Sequence, residues 1–222
     1  MKFTVILDRT RASLGNSLFS ITFSVAALVC FWFSMIQAVV ASTVVVPSLN
    51  ELVRNADTIA EGVVEGQTAN WGNGTGSSQE IYTTVTIRVS QVFKGAPSAK
   101  IDLKLAGGQI GNVRDVVQGA PQFENGATYL LFIQNNGKQL IPLVAMTCGQ
   151  FKIVPDTNGV PRLFDCNNHP VTSLDQIGEK PGSIAFPDTR VEAKPSPGVQ
   201  AIPVVSFAEE IRRVLAEQNI GK

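Results

Sequence analysis

The sequence predicts a mainly β domain: a small barrel with short flanking helices, preceded by an apolar export or membrane segment. Three observations carry this expectation. Between Arg11 and Glu51 there is no charged side chain. From Thr58 to Asp165 several segments alternate apolar and polar residues with a period of two. Two Ser-x-x-Glu sequences, Ser48 to Glu51 and Ser206 to Glu209, bracket those segments with the form of a capping box, in which each side chain satisfies a backbone donor at the other's position.

At the N-terminus, Lys2, Arg9 and Arg11 stand against Asp8 alone, and an apolar run from about Leu18 to Val40 follows. That is the order of a secretory signal, and at roughly 20 apolar residues the run is also long enough to span a bilayer. Val39 and Ala41 supply the small residues a signal peptidase needs, which places cleavage before Ser42. A retained anchor is the other reading; in either case the positive flank stays inside and the rest of the chain is exported, to a periplasmic or extracellular location. The remaining 181 residues hold 15 basic and 17 acidic side chains, once Lys2, Arg9, Arg11 and Asp8 are taken from 18 of each. Near-neutrality without a basic run argues against nucleic acid as a partner, and leaves the N-terminal segment as the only contact with membrane.

Ile81, Val85, Ile87, Val89 and Phe93 share one face, and Thr84, Thr86, Arg88 and Ser90 the other, as in a long strand with one wet side. Ile101, Leu103 and Leu105 alternate with Lys100, Asp102 and Lys104 in the same way. Tyr129 to Ile133 is apolar on both faces, as a central strand is. Further strands are expected at Thr58 to Glu65, Gln139 to Val144, Cys148 to Val154 and Val160 to Asp165, separated by Asn, Gly and Pro turns. Six or seven strands suffice for a small barrel or sandwich. After the barrel, six of the chain's twelve prolines fall from Pro170 to Pro203, the composition of an extended connector. The box at Ser206 then opens a helix with Phe207, Ile211, Val214 and Leu215 on one face, a face that docks on the barrel or, alternatively, meets a partner. The expected organisation is a signal peptide or anchor over 1–41, the barrel over 42–170, the connector over 171–205 and the amphipathic helix over 206–222.

The marks Ser48-Leu49-x-Glu51-Leu52-Val53-x-x-Ala56-Asp57-x-Ile59-x-x-Gly62-x-Val64, Ile81-Tyr82-Thr83, Val92-Phe93-Lys94-Gly95, Gly107-Gly108, Pro121-Gln122-Phe123, Tyr129-Leu130-Leu131-Phe132 and Gly149-Gln150-Phe151-Lys152-Ile153 resemble those of a group of uncharacterised bacterial exported proteins. The resemblance covers roughly residues 48 to 154. The strand order is similar to the OB-type barrel of netrin modules and tissue inhibitors of metalloproteinases. In those inhibitors a mature N-terminal cysteine ligates the protease zinc, whereas the mature terminus expected here is Ser42-Thr43-Val44.

Candidate chemistry is sparse. Cys148 and Cys166 remain after cleavage, and an even pair in an oxidising compartment reads as a disulfide. The two flank Pro155-Asp156-Thr157-Asn158-Gly159 symmetrically about Thr157, so a hairpin turning there sets them opposite one another, with Cα atoms about 4.5 to 5.5 Å apart. That register also sets Lys152 against Arg162, a like-charge pair that suits only an exposed edge. The competing readings are a Cys148–His169 dyad, which needs an activated thiolate, and a zinc site from Cys148, Cys166 and His169, which lacks a fourth ligand. Glu61 and Glu65 share a face of the first strand, where they read as solvated edge charges; a carboxylate pair for glycoside hydrolysis or calcium needs a pocket around it. The Gly107-Gly108-Gln109-Ile110-Gly111 run is not followed by a helical pattern and so fails as a phosphate cradle; it reads as a bend or a functional loop.

The other conspicuous loop is Trp71-Gly72-Asn73-Gly74-Thr75-Gly76-Ser77. Trp71 either folds back over the barrel mouth or stands exposed as an interface anchor. Trp71, Asn73, Gly107 and Gly108 are therefore the candidate binding-loop residues. The reading is an exported, non-enzymatic binding or adapter module whose partner is a protein or an envelope component, with no cofactor, metal or catalytic residue expected. An inhibitor or accessory protein of a secreted metalloprotease, and a thiol- or zinc-dependent enzyme using Cys148 and His169, are the alternatives.

Overall fold

The computed structural model describes residues 47–73, 79–174, 177 and 200–220, all of them within the compact unit Thr43–Lys222. The expected signal or anchor segment, 1–41, and most of the Pro-rich connector lie outside the described residues. Among the described residues no helix is long and apolar enough to cross a membrane.

Helix α1, Leu49–Asn55, begins where the sequence places it. Ser48 Oγ accepts the Glu51 N–H, and the Glu51 carboxylate accepts the Ser48 N–H at 2.8 Å, closing the capping box. Six strands follow in one antiparallel sheet: β1 (Thr58–Asn73), β2 (Gln79–Lys94), β3 (Lys100–Ala106), β6 (Thr128–Ile133), β7 (Gln150–Pro155) and β8 (Pro161–Phe164), in the spatial order β3-β2-β1-β6-β7-β8. A separate hairpin pairs β4 (Gly108–Ile110) with β5 (Val113–Asp115). Helix α2, Val204–Ile220, closes the described chain.

The alternation in β2 and β3 survives folding. Ile81, Val85, Ile87, Ile101, Leu103 and Leu105 are buried, while Thr86 on the opposite face donates to Asp102 Oδ1 at 2.7 Å and Arg88 and Lys100 pair with Glu65. Strand β6 is buried on both faces. Its Leu130 and Phe132 join α1 and α2 in one apolar cluster with Ile59, Phe151, Phe207 and Ile211, and its Tyr129, Leu131 and Ile133 join a second with Val64, Val85, Leu103, Phe123 and Leu143. A strand flanked by two cores must be apolar throughout, which is what its sequence shows.

The sheet does not close into the expected barrel. Closure requires two outer strands to pair, and here each outer edge is occupied by irregular chain. Along β3, Ala106 N–H donates to Leu140 O at 2.9 Å and the Asn136 amide to Asp102 O at 2.9 Å. Along β8, Leu163 N–H donates to Ile202 O and Val171 N–H to Leu163 O, and bridges join Phe164 to Pro170 and Arg162 to Pro203. Val171 and Ala201 are buried there, so both ends of the Pro-rich connector are held against the sheet.

Three further expectations change. The segment 139–144 forms a single bridge, Leu143 to Ile133, because Pro142 interrupts it and the Gln139 amide ties down the carbonyls of Gln134 and Ile141. The strand expected from Cys148 begins at Gln150, since Met146–Gly149 is a 3-10 turn entered through left-handed Ala145 and Met146. The last helix starts at Val204, directly after Pro203, whose carbonyl accepts the Phe207 N–H; Ser206 lies inside the first turn and is not its cap. Phe207, Ile211 and Val214 nonetheless form the buried face, with Leu215 packed beside them.

The β7–β8 hairpin forms, but its register is shifted by two residues. Lys152 pairs with Phe164 and Val154 with Arg162, which centres the turn on Asn158. The shift separates the like charges and gives each its own carboxylate: Lys152 reaches Glu124 at 2.6 Å and Arg162 reaches Asp156 at 2.9 Å. It also removes the opposition of the cysteines. Cys148 sits off the strand in the 3-10 turn, and both Cys148 and Cys166 are free thiols, so the expected disulfide is absent from the structure.

Candidate functional site

The candidate binding loops meet at one end of the sheet. Pairing between β1 and β2 continues from Ile59 and Lys94 out to Asn73 and Gln79, whereas β3 covers β2 only from Tyr82 to Arg88 and β6 covers β1 only from Thr58 to Val63. The far part of β1 and β2 is thus a two-stranded ribbon, and Trp71, opposite Ile81, lies on it.

After Ala106 the chain folds over onto this ribbon. Gly107 N–H donates to Ile81 O at 2.7 Å, and Thr83 Oγ1 donates to Gly107 O at 2.8 Å. Gly107 and Gly108 have φ of +90° and +145°, a backbone region that residues with a Cβ avoid. A Cβ on Gly108 would lie 2.4 Å from Thr83 Oγ1, 3.1 Å from an Ile81 methyl and 3.4 Å from the Ala69 Cβ. The two glycines let the β4–β5 hairpin lie flat on the ribbon, against the face that carries Ala69 and Trp71. The Gly107–Gly111 run is therefore the bend and first strand of a hairpin.

Trp71 is 45% exposed, and on the hairpin side Val113 is 51% and Val116 68% exposed. Trp71 thus stands open on the ribbon opposite the buried Ile81, and Val113 and Val116 stand open on the hairpin and just beyond it. The sequence singled out Trp71, Asn73, Gly107 and Gly108 and missed Val113 and Val116; the available signal was an apolar pair split by Arg114 and Asp115 in a segment with no strand periodicity. On the opposite face of the ribbon, Gly72 makes way for the Tyr82 ring, which Lys104 covers at 4.3 Å and whose hydroxyl donates to Glu80 at 2.8 Å.

Elsewhere the candidate groups are engaged structurally. Glu65 is held by Arg88 and Lys100, and Glu61 accepts from Ser90 Oγ at 3.3 Å. Glu61 lies where β1 is flanked by both β2 and β6 and is a face charge, whereas Glu65 follows the last β1 residue bonded on the β6 side and is drawn across the face by Arg88 of β2 and Lys100 of β3. Asp165 accepts the backbone N–H groups of Asn167 and His169, each at 2.8 Å, and lies 3.6 Å from His169 Nδ1. Burial pushes the Cys148 thiol up to about 12, with smaller contributions from the neighbouring Cys166 and from Asp165. Burial likewise raises Cys166, and Asp165 adds to it. Both thiols are held protonated, the reverse of what a nucleophilic cysteine needs. Among the described residues, Cys148, Cys166 and His169 do not converge as a metal-ligand set.

A groove of 370 Å³ lies between the helices, lined by Asn50 and Arg54 of α1 and by Val214, Glu217 and Gln218 of α2. Each helix was legible in the sequence, but their juxtaposition was not.

The sequence marks quoted between Ser48 and Ile153 are architectural. Lys94 Nζ donates to the carbonyls of Val53 and Arg54 at the end of α1. Gly95 has φ of +80°, and a Cβ there would lie 2.8 Å from Asp57 O. Asp57 accepts the Asn135 N–H at 2.7 Å, and the buried Gln150 amide donates to Gln122 O at 2.6 Å, joining two of the marks to each other. Compared with family models, with curated proteins and with solved structures, the chain matches none.

Proposed function

We propose that this chain is an exported, non-enzymatic binding module that holds a protein or another envelope component through the end of its β1–β2 ribbon. The observation that carries the reading is the exposure of Trp71 on the ribbon onto which the chain folds at Gly107 and Gly108, with Val113 and Val116 exposed on the segment that follows. A large aromatic ring with little conformational freedom is the side-chain type that contributes most to an interface when it is buried by a partner. Export rests on the Leu18–Val40 run and its positive flank. The OB-like reading is retained here in an opened form: β1 carries three register shifts, the irregularities that coil a sheet toward closure, while irregular chain occupies both outer edges.

The test is capture from envelope extracts after cross-linking, with the full chain as bait. Trp71→Ala is expected to lower recovery of the partner at least tenfold and His169→Ala to leave it unchanged. A His169→Ala protein that folds normally yet loses all activity overturns the reading in favour of thiol or zinc chemistry. N-terminal sequencing of the exported form checks location: a start at Ser42 means cleavage, and Met1 in the membrane fraction means an anchor. Soluble full-length protein in the cytoplasm contradicts both.

A further inference from the structure

Among the described residues, both outer edges of the six-stranded sheet are covered. The β3 edge is covered by Asn136 and Leu140, and β3 itself carries Lys100, Asp102 and Lys104; the β8 edge meets Pro170, Ile202 and Pro203. Beyond Val64, which exchanges backbone hydrogen bonds with Gly126 and Ala127, the edge of β1 facing away from β2 has no such cover. The Gln67 amide still reaches the neighbouring segment, donating to Phe123 O at 2.9 Å and Asn125 Oδ1 at 3.2 Å; past it, among the described residues, Thr68–Gly72 have no backbone–backbone hydrogen bond other than those to β2, and the Asn70 amide donates to Thr68 O at 3.5 Å. Natural proteins protect such edges with charges, prolines or bulges. From Gly66 to Gln79 the chain contains no charged residue and no proline, and the last register shift of β1 precedes it, between Val64 and Gly66.

We infer that the uncharged outer edge of β1, Thr68–Gly72, pairs antiparallel with the same edge of a second copy of this chain. Self-complementarity selects that occupant. A two-fold axis through Asn70 places Ala69 of each copy opposite Trp71 of the other, so the largest side chain of the edge faces its smallest one bearing a Cβ. Thr68 then faces Gly72, and no like charges meet anywhere along the contact. Asn70 meets its own copy on the wet face, where an amide both donates and accepts. Ala69 and Trp71 share the face on which Gly108 of the β4–β5 hairpin lies, so pairing sets the Trp71 faces of the two copies side by side. In its use of that surface, the inference rests on the proposed binding function; the pairing itself does not.

The full chain is tested in detergent solution in a Cys30→Ser background. Asn70→Cys, at the axis, is expected to give a covalent dimer on oxidation with copper phenanthroline, because opposed Cα atoms in such a pair lie about 4.5 to 5.5 Å apart. Asn158→Cys, at the exposed turn between β7 and β8, is expected to stay monomeric. Asn70→Lys sets two ammonium groups at the axis of the contact, on the face away from the hairpin, and is expected to raise the dimer dissociation constant at least tenfold without changing the circular dichroism spectrum. The inference is overturned if Asn70→Cys cross-links no better than Asn158→Cys, if Asn70→Lys self-associates like the parent, or if Asn70→Cys is cross-linked in the envelope to a different protein and not to itself. A monomer whose partner capture still depends on Trp71 removes the inference and leaves the binding function. A dimer whose capture ignores Trp71 does the opposite.

Discussion

The ring of Phe207 on α2 stands edge-on to the ring of Phe132 on β6, with centroids 6.3 Å apart and planes at 76°. Phe151 of β7 completes the group, 5.9 Å from Phe132 and 5.3 Å from Phe207. All three rings are buried, so the C-terminal helix docks on the sheet as part of the domain core. Truncating Phe207 to Ala removes a fully buried ring and its edge-to-face contacts, and is expected to lower unfolding free energy by about 3 to 5 kcal/mol. Guanidinium titration followed by circular dichroism measures this; a loss below about 1 kcal/mol would show that the helix is dispensable.

Gly108→Ala is expected to destabilise by about 1 to 3 kcal/mol, because it combines a disfavoured backbone angle with a Cβ driven into Thr83 Oγ1. Gly111→Ala, at φ of +59° with nothing near its Cβ, carries only the backbone part and should cost less. Thermal midpoints of the two variants, measured side by side, separate the contributions. Equal losses would show that the hairpin does not press on the ribbon.

Alkaline stability follows from two buried groups. Burial raises Cys148 from 9.0 to about 12 and Tyr129 from 10.0 to about 12. Between those limits the folded protein holds protons that the unfolded chain releases, so stability is complete below pH 9 and declines from there toward pH 12. Tyr129→Phe and Cys148→Ala should each reduce the slope of stability against pH in this window, whatever their effect at pH 7. Denaturant midpoints at pH 8, 9.5 and 11 provide the check, and parallel slopes in parent and variants would refute it.

Asp156 works in the opposite direction. The N–H of Val160 first, then the Arg162 guanidinium and the N–H of Asn158, hold its carboxyl below the ordinary value of 3.8 against the cost of burial. Stability from these bonds is present above about pH 4 and is lost as pH falls through the lowered value. Asp156→Asn should flatten the acid limb of the stability profile and loosen the β7–β8 turn, read as faster amide exchange at Val160. An acid limb identical to the parent's would place the effect elsewhere.

Legibility in the sequence followed the range of the forces. The faces of β2, β3, β6 and both helices came from residues two to four apart, and the capping box at Ser48 from a single turn. The sequence alone ends β1 at Glu65, but its pairing with β2 draws Gln67–Asn73 into a strand despite their weak β propensity. β4 and β5 carry no periodic signal and form because Gly107 and Gly108 admit the chain onto the ribbon. At the candidate site, Trp71 and the two glycines were visible as residue types, whereas the fact that they face one surface was not.

What the sequence determined by itself is which residues need burial and on which side of each element, because side-chain direction follows from backbone geometry alone. The tertiary structure alone decided the open sheet, the two-residue slip of the β7–β8 register, and the folding of the β4–β5 hairpin onto the ribbon that carries Trp71. These outcomes depend on which distant groups compete for one edge or one charge. Lys152 and Arg162 each found a carboxylate outside the pairing the turn first implied, and irregular chain occupied the outer edges of β3 and β8. A local pattern leaves such choices open until the whole chain is packed.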